Sequence, residues 1–340
     1  MASACLAQAP TAEKLIETGH WKRARALVEP RLKEAPDDAN ATFLWSQIRN
    51  AFGDREASLG LAQKAVHLGG AVGRYHRQLA EAYGVMALRA NIFQQVLLAR
   101  SFRKEIDLAM ELDAHDVQAL RDLLEFFLLA PGVVGGDAKK AETVARQIAA
   151  IDAAQGFLAK ARIAEFHKDR AQTEAMLRLA TEASPPSPKA QVALAQFYLA
   201  NDHRDEAAAE THGKAALALD KECAGAYCIL AGIYAGQANW SALEAILSSA
   251  TKAVPDDAAP YYYAAERLLA DRHDPGLAER YLSIYLAQEP EGNEPTASQA
   301  HWKLGVALQA QARQANAIRE WKTALQLDPE SPAARELKRN

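Results

Sequence analysis

Residues 298–331 read SQAHWKLGVALQAQARQANAIREWKTALQLDPES, one 34-residue unit with two helical patterns and a stop. Leu304 and Leu308 are four residues apart, so they share a helix face, and Gly305 beside Leu304 has no side chain to hold a neighbour away. Ala317, Trp321 and Ala324 form an i, i+4, i+7 stripe on a second helix: two small residues permit close approach and an indole fills the remaining space. Pro329 ends that helix, because it lacks an N–H and clashes with the preceding turn. The pattern requires a helix, a tight turn and a second helix packed face to face.

The same pattern recurs upstream in weaker copies, and internal repeats outrank other signals. A unit starting near Ala258 carries Ala264, Ala265, Leu268, Ala278, Leu282, Tyr285 and Pro290, with extra residues 292–295 before the last unit. One near Ala224 carries Leu230, Ala231, Tyr234, Leu247, Ala250 and Pro255. One near Pro188 carries Leu194, Ala195, Tyr198, Ala208 and Ala215, with a turn at 201–204 that is one residue longer than the pattern. A poorer copy near Ala154 has Ala161, Leu177, Ala180 and Pro185. Residues 117–153 keep a helix pair around an expanded turn. Residues 71–114 need about ten extra residues before Ile106 and Ala109 restore the pattern. The added stretch, 84–100, contains no proline and so predicts longer helices rather than a loop. Residues 39–70 and 11–36 complete the series.

This grammar resembles the tetratricopeptide repeat, strongly over 188–331 and moderately elsewhere. The resemblance implies an all-α solenoid of about nine helix-turn-helix units forming a right-handed superhelix. The expected layout is a disordered or processed tail at 1–10, a single array over 11–331 with irregular repeats at 71–153, and a tail at 332–340. The Pro131-Gly132-Val133-Val134-Gly135-Gly136 turn and the Tyr83-Gly84 extension resemble features of uncharacterised bacterial tetratricopeptide proteins.

Bulk properties agree. Hydrophobic residues are 49% of the 340, enough for a continuous core, and no sustained period-two pattern predicts strands. A net charge of −4 lacks the basic surface that phosphate neutralisation needs, so nucleic acid is not an expected partner. No apolar run reaches the length that spans a bilayer. Cys5, Cys223 and Cys228 are odd in number and lack CxxC spacing, which predicts structural thiols rather than disulfides or zinc ligands. The start, MASACLAQAP, has an A-x-A element at Ala7-Gln8-Ala9 but no charged or long apolar region before it. The reading is a tail of a cytoplasmic protein, with the alternative of an exported, envelope-associated structural adaptor if the true start lies upstream of Met1.

Catalysis is not expected. The nine histidines are dispersed, and neither HExxH nor GxSxG occurs. No metal site or cofactor is predicted. The Gly132 to Lys140 loop precedes a helix whose N–H groups could meet an anion, yet it is not a phosphate-binding loop. The competing reading is a structured turn in which glycines supply positive φ and Asp137 caps the following helix.

The resemblance places function in a concave groove lined by the first helix of each unit and occupied by a protein or peptide segment. Carrying the family's groove positions onto this sequence selects Cys228, Tyr262 and Trp302 as apolar anchors. It places the polar residues Gln196, Glu266 and Gln309, together with Gln299, around them. The alternative is that some of these aromatics pack between repeats; the Tyr261-Tyr262-Tyr263 run cannot bury all three rings alike. The amino-terminal half contributes Arg77 and Arg121, each four residues before a glutamate (Glu81, Glu125) with which it could simply pair. The family's Lys–Asn clamp for carboxyl-terminal tails is not reproduced at Asn40, Phe43, Arg74, Arg77 and Gln78.

Overall fold

The computed structural model describes residues 10–200, 204–292 and 295–339. The expected amino-terminal tail, Cys5 and the A-x-A element fall outside these, as do His203 and most of the turn at 201–204. Among the described residues there are nineteen α-helices and no strand. They fall into two compact units, divided after Phe166. Within each compact unit, consecutive helices pack on one another as in a tetratricopeptide-like helical array.

The first unit contains α1 (Ala12–Glu17), α2 (Trp21–Glu34), α3 (Ala39–Ala51), α4 (Arg55–Gly69), α5 (Gly73–Ala87), α6 (Ile92–Leu112), α7 (Val117–Leu129), α8 (Ala138–Ile151) and α9 (Ala153–Phe166). Each helix packs on the next. Short polar side chains start most of them: Thr11, Asp38, Asp54, Asn91, Asp116 and Asp137 each accept a backbone N–H in the first turn. Residues 84–100 form the end of α5, a short turn at 88–91 and the first turns of the 21-residue α6. The core here includes Ile106, Leu120 and Ile148, all fully buried, and the stacked rings of Phe102 and Phe126, 5.1 Å apart.

The Gly-rich turn is a structured connection. Its single 3-10 turn, Gly132–Val134, packs against α6. The N–H groups of Val134, Gly135, Gly136 and Asp137 donate to Pro131, Gly132, Pro131 and Phe127 carbonyls respectively. The Asp137 carboxylate takes the Lys139 N–H. Gly135 has φ +106°, and a Cβ on Gly136 would lie 1.8 Å from the Ala130 carbonyl oxygen. The donors an anion would need at 134–137 and 139 are spent inside the turn.

The second unit contains α10 (Arg170–Glu182), α11 (Pro188–Leu199), α12 (Glu206–Leu219), α13 (Ala224–Gly236), α14 (Trp240–Ala253), α15 (Ala259–Ala270), α16 (Pro275–Leu286), α17 (Ala297–Ala310), α18 (Gln314–Leu327) and α19 (Ala333–Arg339). In the α17–α18 pair, Leu304, Gly305, Leu308, Ala317, Trp321 and Ala324 are all buried. Residues 333–339, read from sequence as tail, form α19, which packs on α18 with Ala333 fully buried. The register of α12 differs from the sequence expectation by one: Ala209, Gly213 and Ala216 face inward, not Ala208 and Ala215. One inserted residue turns a helix by about 100°, enough to exchange adjacent faces. α13 departs from pairwise packing, since it meets α15 more extensively than it meets α14. It is apolar on every side, so no single face dictates its partner.

A latch recurs in this unit. The Tyr198 hydroxyl on α11 donates to Glu174 on α10 at 2.9 Å, and Arg178 pairs with the same carboxylate at 2.8 Å. The Tyr234 hydroxyl on α13 donates to Glu210 on α12 at 2.9 Å, and Lys214 pairs with it at 2.7 Å. Glu174 and Glu210, Arg178 and Lys214, Tyr198 and Tyr234 are each 36 residues apart.

Candidate functional site: a cleft across four first helices

The first helices of successive pairs in the second unit, α11, α13, α15 and α17, line a cleft of about 650 Å³. Its floor is made by small residues, Gly225, Cys228, Gly232 and Ala259. They leave space because Gly225 and Gly232 carry no side chain; the nearest atom to a Cβ at Gly232 would be the Tyr263 carbonyl oxygen at 3.9 Å. Tyr263 stands beside this floor with 38% of its surface exposed.

The rim is charged, and its charges are largely paired. Arg267 bridges Glu206 (3.3 Å) and Asp271 (2.5 Å). Arg204 meets the same Glu206 at 2.8 Å. Lys303 on α17 pairs with Glu266 on α15 at 3.1 Å, joining two successive pairs over the cleft. Burial pushes the Cys228 thiol well above its ordinary range, with Asp257 and Cys223 adding to the effect. The thiol is therefore a small apolar surface here and a poor nucleophile.

Of the residues selected from sequence, the cleft brings together Gln196, Cys228 and Glu266. Tyr262 is turned inward with 4% exposure, its ring 5.4 Å from that of Tyr285 on α16 and 5.5 Å from that of Tyr263. The ring that lines the cleft is the neighbouring Tyr263. Trp302 is half-buried; its carbonyl accepts the Trp321 indole N–H, and the Lys303 ammonium lies 4.6 Å from its ring centre. The lining residue of α17 is thus Lys303, again one position on. Gln309 is half-buried and does not line the cleft.

The two arginines belong to the first unit and behave differently. Arg77 is buried, with Glu81 and Asp122 each at 3.3 Å and Asp116 at 4.0 Å. Burial opposes its charge, but Glu81, Asp122 and Asp116 outweigh that and hold the guanidinium above its usual range. One cation shared among three carboxylates does not keep all three ionised. Burial pushes Asp122 up to about 7, against the attraction of Arg77 and with the repulsion of Glu81. Arg121 is exposed on α7, while Glu125 is taken by Arg162 of α9 in a two-pronged pair at 2.8 and 3.0 Å. The clamp-like positions satisfy one another: Arg74 donates to Asn40 at 3.0 Å and lies over the Phe43 ring at 5.4 Å.

Sequence reading missed Tyr263, Arg267 and Lys303. For Tyr263 the available signal was the tyrosine run, whose three rings point to different sides of one helix; Arg267 and Lys303 had none. Among the described residues no group of three or more His, Cys, Asp or Glu side chains is arranged to hold a metal ion. No described helix is long and apolar enough to cross a membrane.

No family model matches the chain, and no curated protein matches it in sequence. Its fold is similar to solved tetratricopeptide-type structures. One is a thermophilic TPR protein of Thermus thermophilus, with 18% identity and a TM-score of 0.49, covering 56% of this chain and 96% of that one. A second is Cut9–Hcn1, the APC/C hetero-tetramer, with 13% identity and a TM-score of 0.47, covering 94% of this chain and 73% of that one. A third is yeast Tom70, with 13% identity and a TM-score of 0.47, covering 95% and 78%. At these identities the likeness is one of fold alone.

Proposed function

We propose that the chain is a protein-binding array that takes a short partner segment in the cleft of its second unit. The observation that carries this reading is the construction of the cleft. Four first helices of successive pairs contribute to it, the floor is small and apolar, and the rim is polar. An apolar partner side chain fits the Gly225, Cys228 and Gly232 floor beside the Tyr263 ring. The exposed amide of Gln196 is suited to bond the partner's main chain, and Lys303 and Glu266 to meet its polar flanks. Catalysis has no part in this reading.

A Gly232→Leu substitution tests it, because the added side chain enters the cleft where a Cβ already fits. Peptides selected from a random display library on the intact protein are expected to share an apolar anchor. They should bind Gly232→Leu at least about tenfold more weakly, the loss of one well-filled apolar contact. Selected peptides that bind both proteins equally would place the binding surface elsewhere.

A further inference from the structure

The α5–α6 hairpin of the first unit ends in an apolar tip. Leu88, Ile92, Phe93 and Leu97 are 77%, 64%, 80% and 62% exposed. Isolated exposed apolar residues need no explanation, but four of them clustered around one helix–helix turn do. The charges of the segment are one-sided. Between Glu81 and Glu105 the sequence has four cations, Arg89, Arg100, Arg103 and Lys104, and no carboxylate. Arg103 is committed to Asp107 at 2.8 Å. Arg89, Arg100 and Lys104 are exposed and pair with no carboxylate among the described residues. The charged residues that other elements bring to the cleft beside the tip are Arg55 and Glu56.

Position along α6 decides which partner fits. Phe93, Leu97, Arg100 and Lys104 follow i, i+4, i+7, i+11 and so share one helix face. At 1.5 Å per residue, Arg100 stands about 10 Å and Lys104 about 16 Å back from Phe93 along the axis. Interfacial helices bury apolar groups roughly 5–10 Å below the headgroups, with basic residues level with the phosphates. A peptide groove would interleave the two kinds of residue; this face stacks them, apolar outermost and basic behind.

We propose that this tip is a membrane-surface anchor. Leu88, Ile92, Phe93 and Leu97 enter the interfacial layer of an anionic bilayer, and Arg100 and Lys104 meet its headgroup phosphates. The anchor is separate from the cleft of the second unit and does not depend on it.

Vesicle flotation of the full chain tests the proposal, using phosphatidylcholine alone and phosphatidylcholine mixed with phosphatidylglycerol. The protein is expected to float with the mixed vesicles, less so in high salt, and to stay behind with phosphatidylcholine alone. A Phe93→Ser, Leu97→Ser variant should lose binding. An Arg100→Glu, Lys104→Glu variant should lose at least about tenfold, given roughly fivefold for each cation at an anionic surface. All four positions are exposed, so unchanged thermal unfolding is the check that folding is intact. The proposal is overturned by any of three results: no flotation of the parent protein, equal flotation with both vesicles, or variants that float like the parent. Self-association that Phe93→Ser abolishes, without vesicle binding, would also overturn it and assign the tip to a second copy of the chain.

Discussion

The indole N–H of Trp321 donates to the carbonyl oxygen of Trp302 at 3.2 Å, across the gap left by Gly305. A Cβ on Gly305 would lie 2.3 Å from the Trp321 indole nitrogen. Glycine to alanine inside a helix ordinarily gains about 1 kcal/mol. Here the sign reverses. Trp321 is fully buried and has no room to retreat, so Gly305→Ala is expected to cost roughly 1–3 kcal/mol, the range for an overpacked core. Urea unfolding measures it, and a more stable Gly305→Ala protein would refute the packing.

Asp122 gives the first unit a distinctive pH response. Its folded value of about 7 lies above its unfolded value of 3.8, so the folded state holds the proton more tightly. Its contribution is full below about pH 4 and is lost as pH rises from there through about 7. The size is on the order of 2 kcal/mol, discounted for the quarter of the side chain that water reaches. Asp122→Asn should flatten stability between pH 5 and 8, read from denaturant midpoints. An unchanged slope counts against the shared-cation account.

Adjacent tyrosines separate core from cleft. Tyr262→Ala removes a ring packed on Tyr285 and should cost about 3 kcal/mol or more. Tyr263→Ala removes a ring that is more than a third exposed and should cost under about 1.5 kcal/mol. Equal losses would mean that the two rings are not divided between interior and surface.

Three glycines of the turn after α7 make different demands. Gly132→Ala meets open space and should be neutral, whereas Gly136→Ala collides with the Ala130 carbonyl. Gly135→Ala must also adopt a left-handed conformation, at about 1 kcal/mol or more. Thermal unfolding should rank Gly136 and Gly135 variants far below Gly132→Ala; a destabilised Gly132→Ala would contradict the turn geometry.

The two latches should behave as independent units. Tyr198→Phe and Tyr234→Phe each remove one hydrogen bond to a carboxylate and should cost about 1 kcal/mol, adding in the double variant. Arg178 chiefly, then Tyr198, holds Glu174 below its usual range, as Lys214 then Tyr234 do for Glu210. Both contributions are present above the unfolded carboxylate value and fade as pH falls through the lowered ones. The phenylalanine variants should therefore lose least stability, relative to the parent, in strong acid.

The sequence made the last pair legible because several packing demands coincide there: Leu304, Gly305, Ala317 and Trp321 have no other arrangement that buries them together. It was less informative where one residue changes a helix's rotation. α12 turned by one position after its altered turn, and on α15 the ring facing the cleft is Tyr263, with Tyr262 held inward by Tyr285. The meeting of α13 with α15 left no local trace, because an all-apolar helix does not announce its neighbour. Arg77 showed only its i, i+4 partner Glu81; Asp116 and Asp122 join it through the packing of α5 and α7.

The spacing of the latch makes part of the chain a removable cassette. Excising residues 198–233 places Tyr234 where Tyr198 stood, still 24 residues from Glu174. The fastening between neighbouring helices is expected to survive the excision, while Gly225, Cys228 and Gly232, the floor of the cleft, leave with the cassette. The residues that fasten the helices and those that floor the proposed binding cleft are thus different residues of the same stretch, and one set can be edited without the other.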